Sequence, residues 1–257
     1  MTAPSPSNPA PLDALLKERT RFRHNRFEPS CSSTQDLAAA AAGRGEKIDD
    51  GIVWTDHQTA GRGRQQRLWN DAPGLDLAAT FRFAARLPRT LALPAATPVA
   101  VAAACEAVVG RPVSIKWPND VFLGGRKLSG VLIDAGFAGP DTYLIGVGIN
   151  CNRTTFPREL DGLATSLCLH SGQFVDRDAL LLDLAVRLDR MLSDLAENNL
   201  TSLLADFRRR LGLLGRRVLV TAQGEHSGVL TDLDFGSLQL DGSRRIDLGL
   251  VTRLAAV

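Results

Sequence analysis

The sequence predicts an α+β fold, a mixed β-sheet with packed helices followed by a small C-terminal β-barrel. Three observations carry that reading. Short apolar runs separated by turn residues fill positions 52–148, a helical pattern occupies 176–211, and short alternating strands return after Gly212. The chain has 257 residues of which 44% are hydrophobic, enough to bury a sizeable core as one large domain or one plus a small one.

The elements follow from the punctuation. The first eleven residues, MTAPSPSNPAP, are proline-rich and polar and read as a loose tail without the charged and apolar regions of a signal peptide. A short helix is predicted over 12–23, and a second over 33–42, opened by a Ser/Thr cap and closed by Gly43. A strand over 52–55 delivers Gln58 and a glycine loop, and another covers 77–83. The alanine-rich stretch 94–109 reads as a helix packed on the sheet. Strands over 113–117, 127–135 and 142–148 form a meander, separated by Pro118-Asn119-Asp120, Gly124-Gly125 and Gly139-Pro140. Leu180, Leu181, Leu184, Leu188, Met191 and Leu195 are spaced for one buried helical face. Strands over 217–221, 228–232, 237–240 and 251–254 complete the barrel. The resulting division is a tail and short helix over 1–25, a main domain over 26–211 and a β domain over 212–257.

Composition excludes several classes. Thirty basic residues against 28 acidic ones give no whole-molecule field for DNA or an anionic membrane, and no run of eighteen apolar residues occurs. Cys31, Cys105, Cys151 and Cys168 have neither CxxC nor zinc spacing, and read as small buried residues of a reduced, cytoplasmic protein. The histidines, His24, His57, His170 and His226, are scattered and form no metal or triad grouping.

The chemistry concentrates in two stretches. Residues 61–69, GRGRQQRLW, put Arg62, Arg64 and Arg67 on a backbone whose Gly61 and Gly63 are free to reach φ > 0 and bring N–H groups to an anion. A solvated basic turn is the competing reading of these nine residues alone. About fifty positions on, Ile115-Lys-Trp-Pro-Asn-Asp-Val121, Arg126-Lys-Leu-Ser-Gly-Val-Leu-Ile-Asp134 and Gly146-Val-Gly-Ile-Asn-Cys-Asn152 each carry polar groups at one end of an apolar run. The chain uses 26 arginines but only four lysines, and two of these, Lys116 and Lys127, sit in this cluster. A compact ammonium on a flexible stem can follow charge between two anions as bonds change.

Taken in order, GRGRQQRLW, KWPNDV, RKLSGVLID and GVGINCN closely resemble the biotin protein ligases, with Ser32-Ser-Thr-Gln35 similar to that family's biotin-contacting segment. The resemblance implies a biotin/lipoate ligase-like catalytic domain with an SH3-like C-terminal barrel. It implies an ATP-dependent, carbon–nitrogen bond-forming ligase. Such an enzyme activates biotin to biotinyl-5'-AMP, releases pyrophosphate, and passes biotin to a lysine of a biotin carboxyl carrier protein or domain of acetyl-CoA carboxylase or a related carboxylase. Mg²⁺ would enter with ATP, its protein ligands unassigned. By the same resemblance Lys127 bridges carboxylate and phosphate with Arg62, Arg64 and Arg67, and Asp120 orients the acceptor amine. Lys116 meets phosphate or pairs with Asp120. Ser33, Thr34, Gln58, Gly61, Arg62, Arg64, Lys127 and Gly130 would hold biotin. Arg64, Arg67, Trp69, Lys116, Asn119, Lys127 and Asn150 would hold ATP and the adenylate, with Trp69 against the purine.

Two departures from the family pattern stand out. Gln66 replaces a glycine between the last two cationic loop positions, and Asp134 replaces a glutamate. Two other readings stay open, a lipoate or octanoate ligase or transferase of the same fold and a non-enzymatic nucleic-acid binder. Only about thirty mostly irregular residues precede Ser32, too few for a helix-turn-helix domain, so no DNA binding is expected. No membrane is expected either, and a homodimer is left open.

Overall fold

A computed structural model describes residues 9–43, 50–136 and 139–257. The first eight residues of the expected tail and Lys47 lie outside the described residues. The first helix begins earlier than expected, with α1 spanning Pro9–Arg19, because proline is tolerated in a first turn where its missing N–H has no partner to lose. It also ends earlier. Thr20 Oγ1 donates to Leu16 O at 2.7 Å, and the chain then turns inward to bury Phe22 edge-on to Phe81, ring centroids 5.3 Å apart.

Seven strands make the main sheet: β1 (Arg26–Glu28), β2 (Gly51–Thr55), β3 (Leu77–Ala84), β4 (Ser114–Lys116), β5 (Asp120–Leu123), β6 (Arg126–Ala135) and β7 (Thr142–Ile149). Their order is β1-β2-β3-β7-β6-β5-β4, with β1 parallel to β2 and the remaining pairs antiparallel. Alternation splits the sheet into two faces. Leu77, Ala79, Phe81 and Phe83 of β3 and Tyr143, Ile145, Val147 and Ile149 of β7 join the main core. Helices α3 (Ala92–Val109), α5 (Arg177–Ala196) and α6 (Thr201–Leu211) pack together on that side. α3 is long and apolar enough to cross a membrane, with mean hydropathy 1.7, but here it is the buried central helix. Among the described helices the other face carries α2 (Thr34–Gly43), whose Ala38 packs on Val53 and Leu144.

The single helical pattern of 176–211 divides in two. Asp176 caps α5 by accepting from Asp178 N and Ala179 N at 2.9 and 3.0 Å, and Asn198 at φ 56° breaks the run before α6. A short α4 (Leu167–Ser171) was not legible in the pattern, nor were the three- and four-residue strands β1 and β5.

The C-terminal sheet contains β8 (Arg217–Thr221), β9 (Glu225–Leu233), β10 (Ser237–Leu240), β11 (Arg244–Asp247) and β12 (Arg253–Ala256), in the order β11-β10-β9-β8-β12, all antiparallel and consistent with an SH3-like barrel. β11 escapes periodicity because Ile246 is its one apolar residue. This sheet shares one core with the helices: Phe207 of α6 stacks on Phe235 at 5.8 Å and meets Trp117 at 6.3 Å, and Trp117 Nε1 donates to Val251 O at 2.7 Å.

Candidate active site

The open sheet face supplies a floor of small residues. Register places Ala78, Gly148, Gly130 and Asp120 in one cross-strand row, and Thr80, Gly146 and Leu132 in the next. Trp69 lies on that floor. A Cβ on Gly148 would come within 2.4 to 2.7 Å of three Trp69 ring atoms, and one on Gly130 within 3.2 Å of Trp69 and 3.5 Å of Lys127 Nζ. Only glycine leaves room there.

The structure brings Lys127 and Asp120 together, Nζ to Oδ1 at 2.6 Å, with Nζ also 5.9 Å from the Trp69 ring centroid. The pair corrects one expectation. Asp120 takes Lys127 as its partner, although Lys116 is its cross-strand neighbour, and Lys116 instead lies over the Phe122 ring at 5.1 Å. A β-bulge between Val121 and Phe122 shifts the register and brings Phe122 opposite Lys127.

The arginine loop folds over this floor. Arg62 pairs with Asp36 of α2 at 2.7 Å and lies 3.6 Å from Asp134, while Arg64 donates to Asn119 Oδ1 at 3.1 Å. Asn119 Nδ2 in turn donates to Val131 O at 2.8 Å, so the KWPND turn is tied both to the loop and to β6. Arg67 is exposed, and its backbone O receives Gly63 N at 2.7 Å. The glycines behave differently from expectation. Neither Gly61 nor Gly63 has positive φ, and Gly63 is extended at φ −120°, ψ 178°. Gly61 is needed for closeness, since a Cβ there would meet Trp69 O at 2.6 Å and Gln58 Nε2 at 2.9 Å. The left-handed residues are Gln65 and Gln66, at φ 55° and 59°.

The loop is anchored where it leaves. Arg153, 4% exposed, forms a buried ion pair with Asp76 and donates to Asn70 O at 2.8 Å, directly after Trp69. Asp76 also accepts from Ala72 N at 2.8 Å and Cys151 N at 3.1 Å. One pair therefore fixes the loop exit to the end of β7. Asn150 sits at that strand end, 4% exposed, with Nδ2 donating to Thr165 O at 2.9 Å.

At the far end of the floor is a buried polar group. Gln58 Oε1 accepts from Thr34 N at 2.9 Å and Thr34 Oγ1 at 3.2 Å. Ser33 does not cap α2 with its hydroxyl as expected. Its Oγ is buried with no hydrogen-bond partner, the kind of atom a polar ligand completes. Sequence reasoning named Gln35 only within the SSTQ segment and passed over Thr80, Gly146 and Gly148; these residues are buried in or against this group or form the floor. The SSTQ and GVGIN motifs contained three of them, but nothing local marks Thr80 within LAATFRF. All four cysteines are free; burial pushes Cys105 up to about 12, and Cys151 is also held well above an ordinary thiol by burial. Among the described residues no cluster of His, Cys, Asp and Glu could hold a metal ion.

A sheet-borne lysine and an arginine loop thus bring cationic side chains together over a glycine floor, an arrangement suited to anions. The family model for the biotin/lipoate A/B protein ligase family matches residues 28–152, the segment that contains this floor and loop. The chain is 34% identical over 233 residues to a biotin acetyl-CoA-carboxylase ligase of Mycobacterium tuberculosis, covering 84% of this chain and 82% of that protein. It is 33% identical over 193 residues to the bifunctional ligase/repressor BirA of Bacillus spizizenii, covering 72% of this chain and 59% of that relative's length. Its fold matches a biotin protein ligase from Aquifex aeolicus in complex with biotin and ATP, at TM-score 0.79 and 27% identity, covering 92% of this chain and all of that one. The chain belongs to the biotin protein ligase family.

Proposed function

We propose that the protein is an ATP-dependent biotin protein ligase whose acceptor is a biotin carboxyl carrier domain. The observation that carries this reading is the Lys127–Asp120 pair, set on the glycine floor beneath a loop that carries three arginines. In the first step a carboxylate oxygen of biotin attacks the α-phosphorus of MgATP, the bond to the bridging oxygen breaks, and pyrophosphate leaves. Two anions must meet for this to happen. Lys127, held at the floor, and Arg62, Arg64 and Arg67 on the loop offset that repulsion, and each well-placed donor in a dry site stabilises such a transition state by about 3–4 kcal/mol. Gly61 and Gly130 let the loop backbone and the substrate tail approach, and Trp69 is assigned to lie against the purine.

In the second step a lysine amine of the acceptor attacks the acyl carbon of the mixed anhydride. AMP departs and the amine loses its proton. Asp120 is assigned to orient that amine, a role supported by its position 2.6 Å from Lys127 Nζ. Asn119, Lys116 and Asn150 are assigned to the nucleotide, and Ser33, Thr34 and Gln58 to the ring end of biotin. The domain division at 211/212 belongs to the same proposal, as does the placing of the protein in the cytoplasm. The chain spans little more than half of the bifunctional relatives, so the repressor activity in their names is not carried over.

The test is mass spectrometry of a biotin carboxyl carrier domain after incubation with the protein, MgATP and biotin. A mass gain of one biotin on one lysine supports the reading. A mass gain with lipoate in place of biotin, undiminished by competing biotin, would move the protein to the lipoate branch.

A further inference from the structure

Thr80, Thr97, Ser129 and Ser166 carry fully buried hydroxyls that the mechanism leaves unused, and one of them lies on the open face of the sheet. Thr80 on β3 is 0% exposed, yet it points to the open face of the sheet, in the row with Val53 and Gly146. Its Oγ1 lies 2.9 Å from Thr34 Oγ1 and 3.1 Å from Gln35 Oε1. The surrounding groups fix which atoms give protons and which receive them.

Two ends of the network admit a single assignment. A backbone N–H can only donate, so the Gln58 atom that faces Thr34 N must be its oxygen, and the Gln58 amide nitrogen is turned toward the space beneath Gly61. A carboxylate can only accept, so the Gln35 atom 3.1 Å from Asp134 Oδ2 must be nitrogen, which leaves the Gln35 oxygen facing Thr80 and Gly146. Thr34 gives its hydroxyl proton to Gln58. Among the described residues, Thr34 Oγ1 and Gln35 Oε1, both buried, then share the one proton of Thr80 as their donor.

We propose that Thr80 is a positioning residue for the ring end of biotin: its hydroxyl joins Asp134, Gln35, Thr34 and Gln58 into one ordered chain, so that Gln58 presents its amide N–H₂ to a carbonyl acceptor on the ligand. Thr80 touches no substrate. It acts by holding Thr34 against Gln58 and by keeping Gln35 seated over Gly146 at the end of the floor. Such a chain favours a neutral group with an acceptor oxygen and gives no advantage to the nucleotide, which binds at the Lys127 end. The inference rests on the ligase reading above and deepens it by naming what orders its ring-end pocket.

The test compares wild type, Thr80→Val and Thr80→Ser in biotin-dependent pyrophosphate release, with KM measured separately for biotin and ATP. Valine matches threonine in shape but removes the proton, so the KM for biotin should rise about tenfold, the order expected for leaving a buried acceptor unpaired, with kcat and the KM for ATP within about threefold of wild type. Serine restores the hydroxyl and should recover most of the loss. An unchanged KM for biotin in Thr80→Val, a parallel rise in both KM values, or a Thr80→Ser protein no better than Thr80→Val each overturns the assignment. If Thr80→Val does not fold, Gln35→Met breaks the next link at similar volume and should show the same biotin-only effect; its absence there overturns the assignment too. A wild-type protein whose pyrophosphate release ignores biotin refutes the ligase reading itself, which the variants alone would not do.

Discussion

Lys127 and Asp120 are 2.6 Å apart but belong to different half-reactions, and that separation can be measured. Lys127→Ala removes the ammonium from the point where carboxylate and phosphate meet, so biotin-dependent pyrophosphate release should fall about 100-fold or more while the fold persists. A loss below about tenfold would remove Lys127 from that role. Asp120→Asn keeps the size and a hydrogen-bonding atom but not the charge. It should still form biotinyl-adenylate and pass it poorly to the acceptor lysine, so the two half-reactions, assayed separately, should diverge; equal losses in both would reassign Asp120 to shaping the turn. At this scale the sequence was legible where a motif crowds charged residues together, as in KWPND and RKLSG. It was silent on Thr80, because a threonine in an apolar strand looks the same whether its hydroxyl serves a network or merely the strand. The partner of Asp120 was also hidden, since it depends on a bulge that no local pattern announces.

Among the elements, the arginine loop holds the most specific departure from its family. The glycines that sequence alone suggested for positive φ do not adopt it, and Gln65 and Gln66 do. Left-handed backbone is uncommon for residues with a Cβ and costs of order 1 kcal/mol per residue. Replacing Gln66 by glycine relieves that cost in the closed loop but also gives the open loop more freedom. We expect relief to win, because the same conformation must be re-formed each time water is excluded from the mixed anhydride. Without acceptor, biotinyl-adenylate should leave Gln66→Gly more slowly than wild type, and an off-rate equal or faster would show that Gln66 is comfortably accommodated. The elements themselves were largely foreseen where periodicity had room to show. α3, β3, β6 and β7 lie close to the predicted spans and α5 and α6 divide the one helical pattern of 176–211, whereas β1, β5, β11 and α4, with three to five residues each, are too short to carry a period.

Across the whole molecule the helical layer and the C-terminal sheet are joined by contacts that should make them unfold together. Arg210 of α6 reaches Glu106 of α3 and donates to Val113 O at 2.9 Å, tying two helices to the entry of β4. Partial burial works against the Glu106 charge, but the Arg210 guanidinium and Val113 N–H outweigh it and hold the carboxyl below its ordinary value. A depressed carboxyl pKa contributes stability that is present above the unfolded value, about 4.3, and is lost as pH falls through the folded one. The Tm difference between wild type and Glu106→Gln should therefore be present at pH 7 and shrink as the pH falls below the unfolded value and through the lower folded one. The second joint is apolar. Phe207 lies between Trp117 and Phe235, Arg208 Nε donates to Leu233 O at 2.6 Å, and Trp117 Nε1 donates to Val251 O, so that residues on both sides of position 212 form one buried cluster. Separating the parts would expose Trp117, Phe207 and Leu211 to water at about 1.5–3 kcal/mol for each large side chain. Residues 212–257 are thus proposed as a distinct unit in topology but not in stability. Calorimetry should show one transition whose van't Hoff and calorimetric enthalpies agree. Trp117→Phe, which keeps most of the packing but loses the bond to Val251 O, should lower that single Tm without splitting it. Two resolved transitions in wild type would show that the barrel folds by itself, and a second transition appearing only in Trp117→Phe would mean that this one hydrogen bond, more than the apolar contact around Phe207, couples the two sheets.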